Sequence, residues 1–314
     1  MTTGGAVTTA ACHRRMRRRL GAVAAASLTV LAGAACTDPG SPADSEPEPS
    51  PAYSSYVALG DSFTAGPMIP PQIDSACARS GSNYPHAVAE TLGIDNFRDA
   101  SCSSATTANL TGPQVVSSGA TVPPQYDALT PETELVTVGI GGNDIGLVAL
   151  AGSCLALDRS SGRAAAPAGP LCATANVRDG LDLVDRAIDD FAPTYGVIVR
   201  EIRNRAPDAR ILLVGYPTGI RDGGCYPDQP ILPDDATYLQ AKIDRLNTAM
   251  EQQADAAGVD YVDLRESTVG HDACQPSAQR WTEGLFPSQP AAPLHPNADG
   301  HRNAAEQVLV TIAD

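Results

Sequence analysis

The sequence predicts an α/β fold in which a mostly parallel sheet is covered on both faces by helices. Short apolar runs at Tyr56-Val-Ala-Leu59, Glu134-Leu-Val-Thr-Val-Gly-Ile140 and Ile211-Leu-Leu-Val-Gly-Tyr-Pro217 read as buried strands. Between the second and third, Leu181, Val184, Ile188, Phe191, Tyr195, Ile198 and Ile202 recur at three and four residues, one face of a long amphipathic helix. Strands alternating with helices imply a parallel sheet, because each crossover lays a helix on a sheet face.

The chain has 314 residues. Its beginning is unlike a folded domain, and the remainder, about 260 residues, suits one large α/β domain better than two small ones. Residues 1–35 read as a secretory signal: the basic head His13-Arg-Arg-Met-Arg-Arg-Arg19 leads into an apolar run from Leu20 to Ala35 that ends in small residues. Residues 36–52 are acidic, Pro-rich and without an apolar side chain larger than Ala, so they form an expected disordered tether. Residues 53–314 are the expected folded domain. Leu31-Ala-Gly-Ala-Ala-Cys36 resembles a bacterial lipoprotein cleavage box, in which Cys36 becomes the lipidated first residue. Gly33 departs from that pattern, which usually has Leu three before the cysteine, and plain cleavage near Ala34 or Ala35 is the alternative.

Aromatic residues make up 4% of the chain, so the core must be built mainly from Ala, Val, Leu and Ile. Formal net charge is −15; without residues 1–35, which hold five arginines and no acids, 16 basic face 36 acidic residues, or −20. That argues against nucleic acid and against electrostatic docking on anionic lipid, leaving a lipid anchor as the expected route to a membrane. With Cys12 and Cys36 set aside, Cys77, Cys102, Cys154, Cys172, Cys225 and Cys274 remain. Six cysteines allow about fifteen pairings. Sequential pairing is the expectation, since each bridge would then tie one loop, at roughly 3–4 kcal/mol apiece from chain entropy. No pair has metal-site spacing, and neither metal nor organic cofactor is expected.

In chain order, Tyr56–Leu59 runs into Gly60-Asp61-Ser62, a tight turn at the end of a first strand. Asn83–Gly93 reads as a short helix with Pro85 at its start and Gly93 past its end. Asn96–Ser101 is a weak strand candidate, and Ser103–Asn109 a polar turn opening a helix. The strong strand at 134–140 empties into Gly141-Gly142-Asn143-Asp144. A Gly-, Ala- and Pro-rich insertion separates Cys154 from Cys172, and Pro193 should kink or break the long helix. Leu239, Ile243, Leu246 and Met250 mark another helix, Val259–Leu264 a last strand, and Leu294-His-Pro-Asn-Ala-Asp-Gly300 opens a closing helix to Ile312.

Ser62, Ser104, Asn143 and His295 all fall at strand ends or before the final helix, so a parallel sheet can bring them to one edge. Asp61-Ser62 could equally be no more than a helix cap. Gly60-Asp-Ser-Phe63, Gly-Gly-Asn-Asp144 and His295-Pro-Asn297, in this order, resemble the SGNH (GDSL-type) hydrolases, in particular secreted bacterial lipases and esterases. The resemblance runs from about Tyr53 to Val310 and implies a three-layer α/β/α sandwich around a flavodoxin-like sheet. It further implies Ser62 as nucleophile, His295 as its base, and an oxyanion hole from the Ser62 N–H, the residue matching Ser104, and the Asn143 amide. The expected activity is hydrolysis of carboxylic esters by an exported monomer, through an acyl-serine intermediate and without cofactor. The expected substrate is a small-molecule or lipid ester, and rate should fall below about pH 6 as His295 protonates.

Two departures from that family bear on mechanism. Its second block usually offers a glycine where this chain has Ser104, which matters if the site needs positive φ. Its acid usually stands three residues before the histidine, where this chain has Ala292. The Ala292 carbonyl is therefore the expected partner of the imidazole, with Asp272 and Asp299 as alternatives. His86, His271 and His301 are expected at the surface, Asp61 and Asp144 as structural acceptors in their turns, and Trp281 either at the cleft or in packing. The same residues would serve a cell-surface glycan deacetylase or acyltransferase, and a silent binding lipoprotein is the non-enzymatic reading. No Gly-x-Ser-x-Gly elbow, His-Glu-x-x-His or phosphate loop occurs.

Overall fold

In the computed structural model, which describes Met1 and residues 52–158, 164–165 and 171–314, five parallel strands form the central sheet. They are β1 (Ser55–Gly60), β2 (Asn96–Asp99), β3 (Leu135–Gly139), β4 (Arg210–Val214) and β5 (Asp260–Val262), in the order β2-β1-β3-β4-β5. That is the flavodoxin-like order, and its topological switch lies where β2 and β3 flank β1. The expected signal segment beyond Met1, the tether as far as residue 51 and Cys36 lie outside the described residues.

Strand periodicity divides the core in two. Val57, Leu59, Val136, Val138, Ile211 and Leu213 point to one face, against helices α3 (Leu183–Phe191), α4 (Pro193–Arg205) and α5 (Pro233–Ala257). Tyr56, Ala58, Leu135, Leu212, Val214 and Val262 point to the other, against α1 (Tyr84–Leu92) and α6 (Ala298–Ala313). Three layers result. Asn83 caps α1 and Gly93 ends it in the left-handed conformation, as the local sequence predicts. The long amphipathic stretch breaks at Ala192-Pro193 into α3 and α4. The polar turn after Ser103 yields only one helical turn, Ala108–Thr111. A helix over Leu147–Ser153, α2, escapes the periodicity reading because it is short and flanked by Gly146.

The six cysteines pair sequentially, Cys77–Cys102, Cys154–Cys172 and Cys225–Cys274. Cys154–Cys172 closes a loop within the crossover from β3 to β4, whereas the other two bridges join segments that follow neighbouring strands, β1 with β2 and β4 with β5. Among the described residues, no helix is long and apolar enough to cross a membrane.

Candidate active site

Register builds the site. Gly60 pairs with Gly139, so β1 and β3 release the chain at the same level. A Cβ on Gly60 would meet Thr64 Oγ1 at 2.2 Å and the Gly139 carbonyl at 2.6 Å, so only glycine allows the turn. Asp61 then caps the helical turn Ser62–Ala65, accepting the Phe63 N–H at 2.8 Å. Ser62 becomes the first residue of that turn, 8% exposed.

His295 comes from the other end of the chain. Its loop is strapped to residues 281–284: Glu283 N–H donates to the His295 carbonyl, Leu294 N–H to Gly284, and Asn297 N–H to Trp281. The buried Glu283 carboxylate fastens the strap, accepting from Asn297 Nδ2 at 2.8 Å and from the Ser288 N–H at 2.7 Å. Asn297 Oδ1 meanwhile caps α6. Leu294 sits at φ 63, a left-handed conformation that turns the ring of His295 toward β1.

Ser62 Oγ and His295 Nε2 are 2.7 Å apart. His295 Nδ1 lies 2.8 Å from the Pro293 carbonyl oxygen. A carbonyl cannot donate, so Nδ1 carries the proton and Nε2 presents its lone pair to the serine hydroxyl. The carbonyl of Ala292, the expected partner, does not meet the ring: it accepts the backbone N–H of His295 at 3.2 Å, closing a turn that leaves the next carbonyl opposite Nδ1. Neither carboxylate alternative faces the imidazole. Asp272 pairs with Arg221 and accepts the Cys274 N–H; Asp299 pairs with Arg302. Burial holds the His295 pKa below the usual value, partly offset by the Pro293 carbonyl.

Ser104 follows the Cys77–Cys102 bridge in a turn closed by the Ala105 N–H on the Cys102 carbonyl, with φ 66. Serine therefore occupies the left-handed position that favours glycine. Among the described residues, the N–H groups of Ser62 and Ser104 take no hydrogen-bond partner. The Asn143 amide nitrogen donates one hydrogen to the Ala105 carbonyl at 2.9 Å, which fixes its orientation and leaves its second hydrogen free. Asp144 is structural as expected, accepting from the Thr107 N–H and hydroxyl.

An apolar cleft of about 750 Å³, counting its open mouth, adjoins His295. Leu147, Ala151, Ile220, Ile231, Leu239 and Ile243 line it. Gln229 also reaches it but spends its amide on the Ala273 carbonyl and the Leu285 N–H. The loop 218–235 contributes to this cleft, whereas residues of 66–80 and 111–127 line a separate polar depression.

A family model, the GDSL-like lipase/acylhydrolase family, matches residues 58–302. The chain belongs to that family. Lipase 2 of Streptomyces coelicolor is 36% identical over 264 residues, covering 81% of this chain and 84% of that protein. An esterase of Streptomyces scabiei is 31% identical over 337 aligned positions, covering 93% of each. Among solved structures, phospholipase A1 from Streptomyces albidoflavus superposes with a TM-score of 0.66 at 22% identity, over 83% of this chain and all of that one, and shares the fold. The GDSL-like chain is thus a carboxylic ester hydrolase by family.

The remaining histidines differ from expectation in one case. His86 bonds Asn83 and His271 stacks on Trp281, whose role is packing. His301, however, is fully buried, its Nδ1 accepting the Tyr84 N–H. A stripe of His301, Ala304, Ala305 and Val308 on the closing helix carries that signal in the sequence. Glu283 and Tyr216 carried no such signal, because their partners are remote in sequence. Among the described residues no group of three or more metal-ligating side chains converges.

Proposed function

We propose that this chain is an exported lipase or esterase that cleaves fatty-acyl esters with a Ser62–His295 dyad. The single observation that supports it most is the relay Ser62 Oγ–His295 Nε2–Nδ1–Pro293 carbonyl, with no carboxylate in it. Serine alone is a poor nucleophile at neutral pH; a neutral imidazole at hydrogen-bond distance takes its proton as the oxygen attacks the ester carbonyl. Negative charge then develops on the carbonyl oxygen. The Ser62 N–H, the Ser104 N–H and the free hydrogen of the Asn143 amide are the donors for it, each worth roughly 3–4 kcal/mol in the transition state. His295 returns the proton to the departing alcohol. Water enters where the alcohol left, and the same ring activates it against the acyl-serine.

The apolar cleft is assigned to the acyl chain. The alcohol must leave and water must enter between the two half-reactions, so the leaving-group side has to stay open. The acyl chain remains through both, and a cleft lined mainly by aliphatic side chains holds it. Export is supported by the basic-then-apolar start of the sequence and by the three disulfides. Lipidation of Cys36 would tether the enzyme through the acidic Pro-rich segment.

The test is hydrolysis of p-nitrophenyl esters from acetyl to palmitoyl, beside Ser62→Ala. Serine-dependent turnover that rises from acetyl toward longer chains is expected. Folded, oxidised protein without turnover on any ester would reject the reading in favour of a binding lipoprotein.

A further inference from the structure

Behind the reacting atoms lies a buried hydroxyl that none of these steps uses. Tyr216, two residues past β4, is 2% exposed. Its hydroxyl donates to Asp61 Oδ2 at 2.6 Å and accepts the Gly142 N–H at 2.8 Å. Asp61 immediately precedes Ser62, and Gly142 immediately precedes Asn143. One oxygen therefore joins the turn carrying the nucleophile to the loop carrying the oxyanion donor.

Chemistry fixes the direction of each bond. The Gly142 amide can only donate, so the single phenolic proton goes to the carboxylate. The other Asp61 oxygen accepts the Phe63 N–H. Tyr216 is itself held: the fully buried Asn247 of α5 accepts the Tyr216 N–H at 2.8 Å and donates to its carbonyl at 2.7 Å. The Tyr216 ring packs edge-on against Phe63, whose ring lies 4.7 Å from that of His295. A Cβ on Gly142 would come within 3.1 Å of the Tyr216 oxygen, so glycine at 142 permits the approach.

We propose that Tyr216 is a positioning residue whose hydroxyl, shared between Asp61 and Gly142, sets the spacing between the nucleophile turn and the oxyanion loop. The proposal rests on the ester-hydrolase reading above. Oxyanion donors act only if preorganised at bonding distance from the developing charge, so a tie between the two loops bears on kcat rather than on substrate affinity. The tie requires Asp61 ionised. Both carboxylate oxygens already face donors, so a proton on either would displace one of them. Burial pushes the Asp61 carboxyl up to about 7, against the Tyr216 and Phe63 hydrogen bonds that favour the charge. The other titratable groups within electrostatic reach of it are Asp144, whose charge adds to the upward shift, and the buried Tyr84 and Tyr195, whose hydroxyls bond Thr64 and the Ile140 carbonyl.

The experiment compares Tyr216→Phe, Asp61→Asn, the double variant and Ser62→Ala, measuring kcat, KM, the pH profile of kcat and thermal unfolding. Tyr216→Phe keeps the ring and should lower kcat roughly ten- to a hundredfold, the effect of one hydrogen bond to a charged group. KM should change less than about twofold. The acid limb of kcat should move to higher pH, because Asp61 loses a donor that favours its ionised form. Asp61→Asn should flatten the limb near neutrality, and the double variant should be no slower than the slower single one. A Tyr216→Phe enzyme with wild-type kcat, an unmoved limb or additive losses would overturn the proposal while Ser62-dependent turnover still upheld the hydrolase. Absence of serine-dependent turnover in the wild type would overturn both. Should Tyr216→Phe fail to fold, Asp61→Asn decides alone: an unchanged kcat profile rejects the tie, and loss of rate together with the limb supports it.

Discussion

The Nδ1 of His295 rests 2.8 Å from the main-chain carbonyl of Pro293, and no side-chain carboxylate of the described residues takes that place. A main-chain acceptor fixes the tautomer and ring orientation as an aspartate would, but brings no full negative charge to the imidazolium. Asp272→Asn and Asp299→Asn should therefore each keep kcat within about threefold, where loss of a true triad aspartate costs about 10⁴. Steady-state kinetics on both variants checks this. A loss near 10⁴ in either would install a carboxylate the geometry does not show.

Ser104 sits at φ 66, where a Cβ is strained. Ser104→Gly should relieve roughly 1 kcal/mol of backbone strain and leave kcat near wild type, because the role rests on an N–H and not on the hydroxyl. Asn143→Ala, by contrast, should cost about 10²–10³ in kcat with the fold intact. Chemical denaturation alongside kinetics separates the two effects. A hundredfold loss in Ser104→Gly would show that the serine side chain itself acts.

The acyl assignment of the cleft predicts a change in chain-length preference. Ala151 is buried on the helix that walls the cleft beyond Asn143. Ala151→Phe should lower kcat/KM for palmitoyl esters at least about tenfold, an amount that a few lost methylene contacts supply at about 0.8 kcal/mol each. Acetyl ester turnover should stay within about threefold. Equal loss on both esters would mean that the cleft does not hold the acyl chain.

His301 predicts an acid sensitivity separate from catalysis. Burial lowers its pKa to about 3 in the folded protein, with the nearby His295 adding to the shift. The unfolded chain binds the proton near the ordinary value of about 6.5, so stability from the neutral ring is complete above that pH and lost as pH falls toward 3. By pH 5 the loss should reach about 2 kcal/mol. His301→Phe should flatten that part of the pH dependence of the melting temperature, at the expense of the Tyr84 N–H bond. An unchanged slope would reject the role of His301.

Much of this architecture is written locally in the chain. β1, β3 and β4 are short apolar runs, and the turns after the first two carry Ser62 and Asn143, so the strand ends and both residues were readable together. The sequential pairing of six cysteines was one expectation among about fifteen pairings, and it is the pairing observed. What escaped depends on backbone angles or on distant partners. Whether the Ala292 or the Pro293 carbonyl meets His295 turns on the left-handed φ of Leu294, which a leucine does not announce. Tyr216 reaches Asp61 across 155 residues and Gly142 across 74. Glu283, fourteen residues before Asn297, binds it only because the two segments run side by side.

The most direct measurement of the central claim is the mass of the intact protein and its peptides after exposure to a p-nitrophenyl alkylphosphonate. Such a reagent phosphonylates a serine only where a base and an oxyanion site activate it. The account predicts one adduct per chain, on the peptide bearing Ser62, absent in Ser62→Ala and greatly slowed in His295→Ala. An adduct on another residue, or none from folded protein, would contradict Ser62 and His295 as the reacting pair.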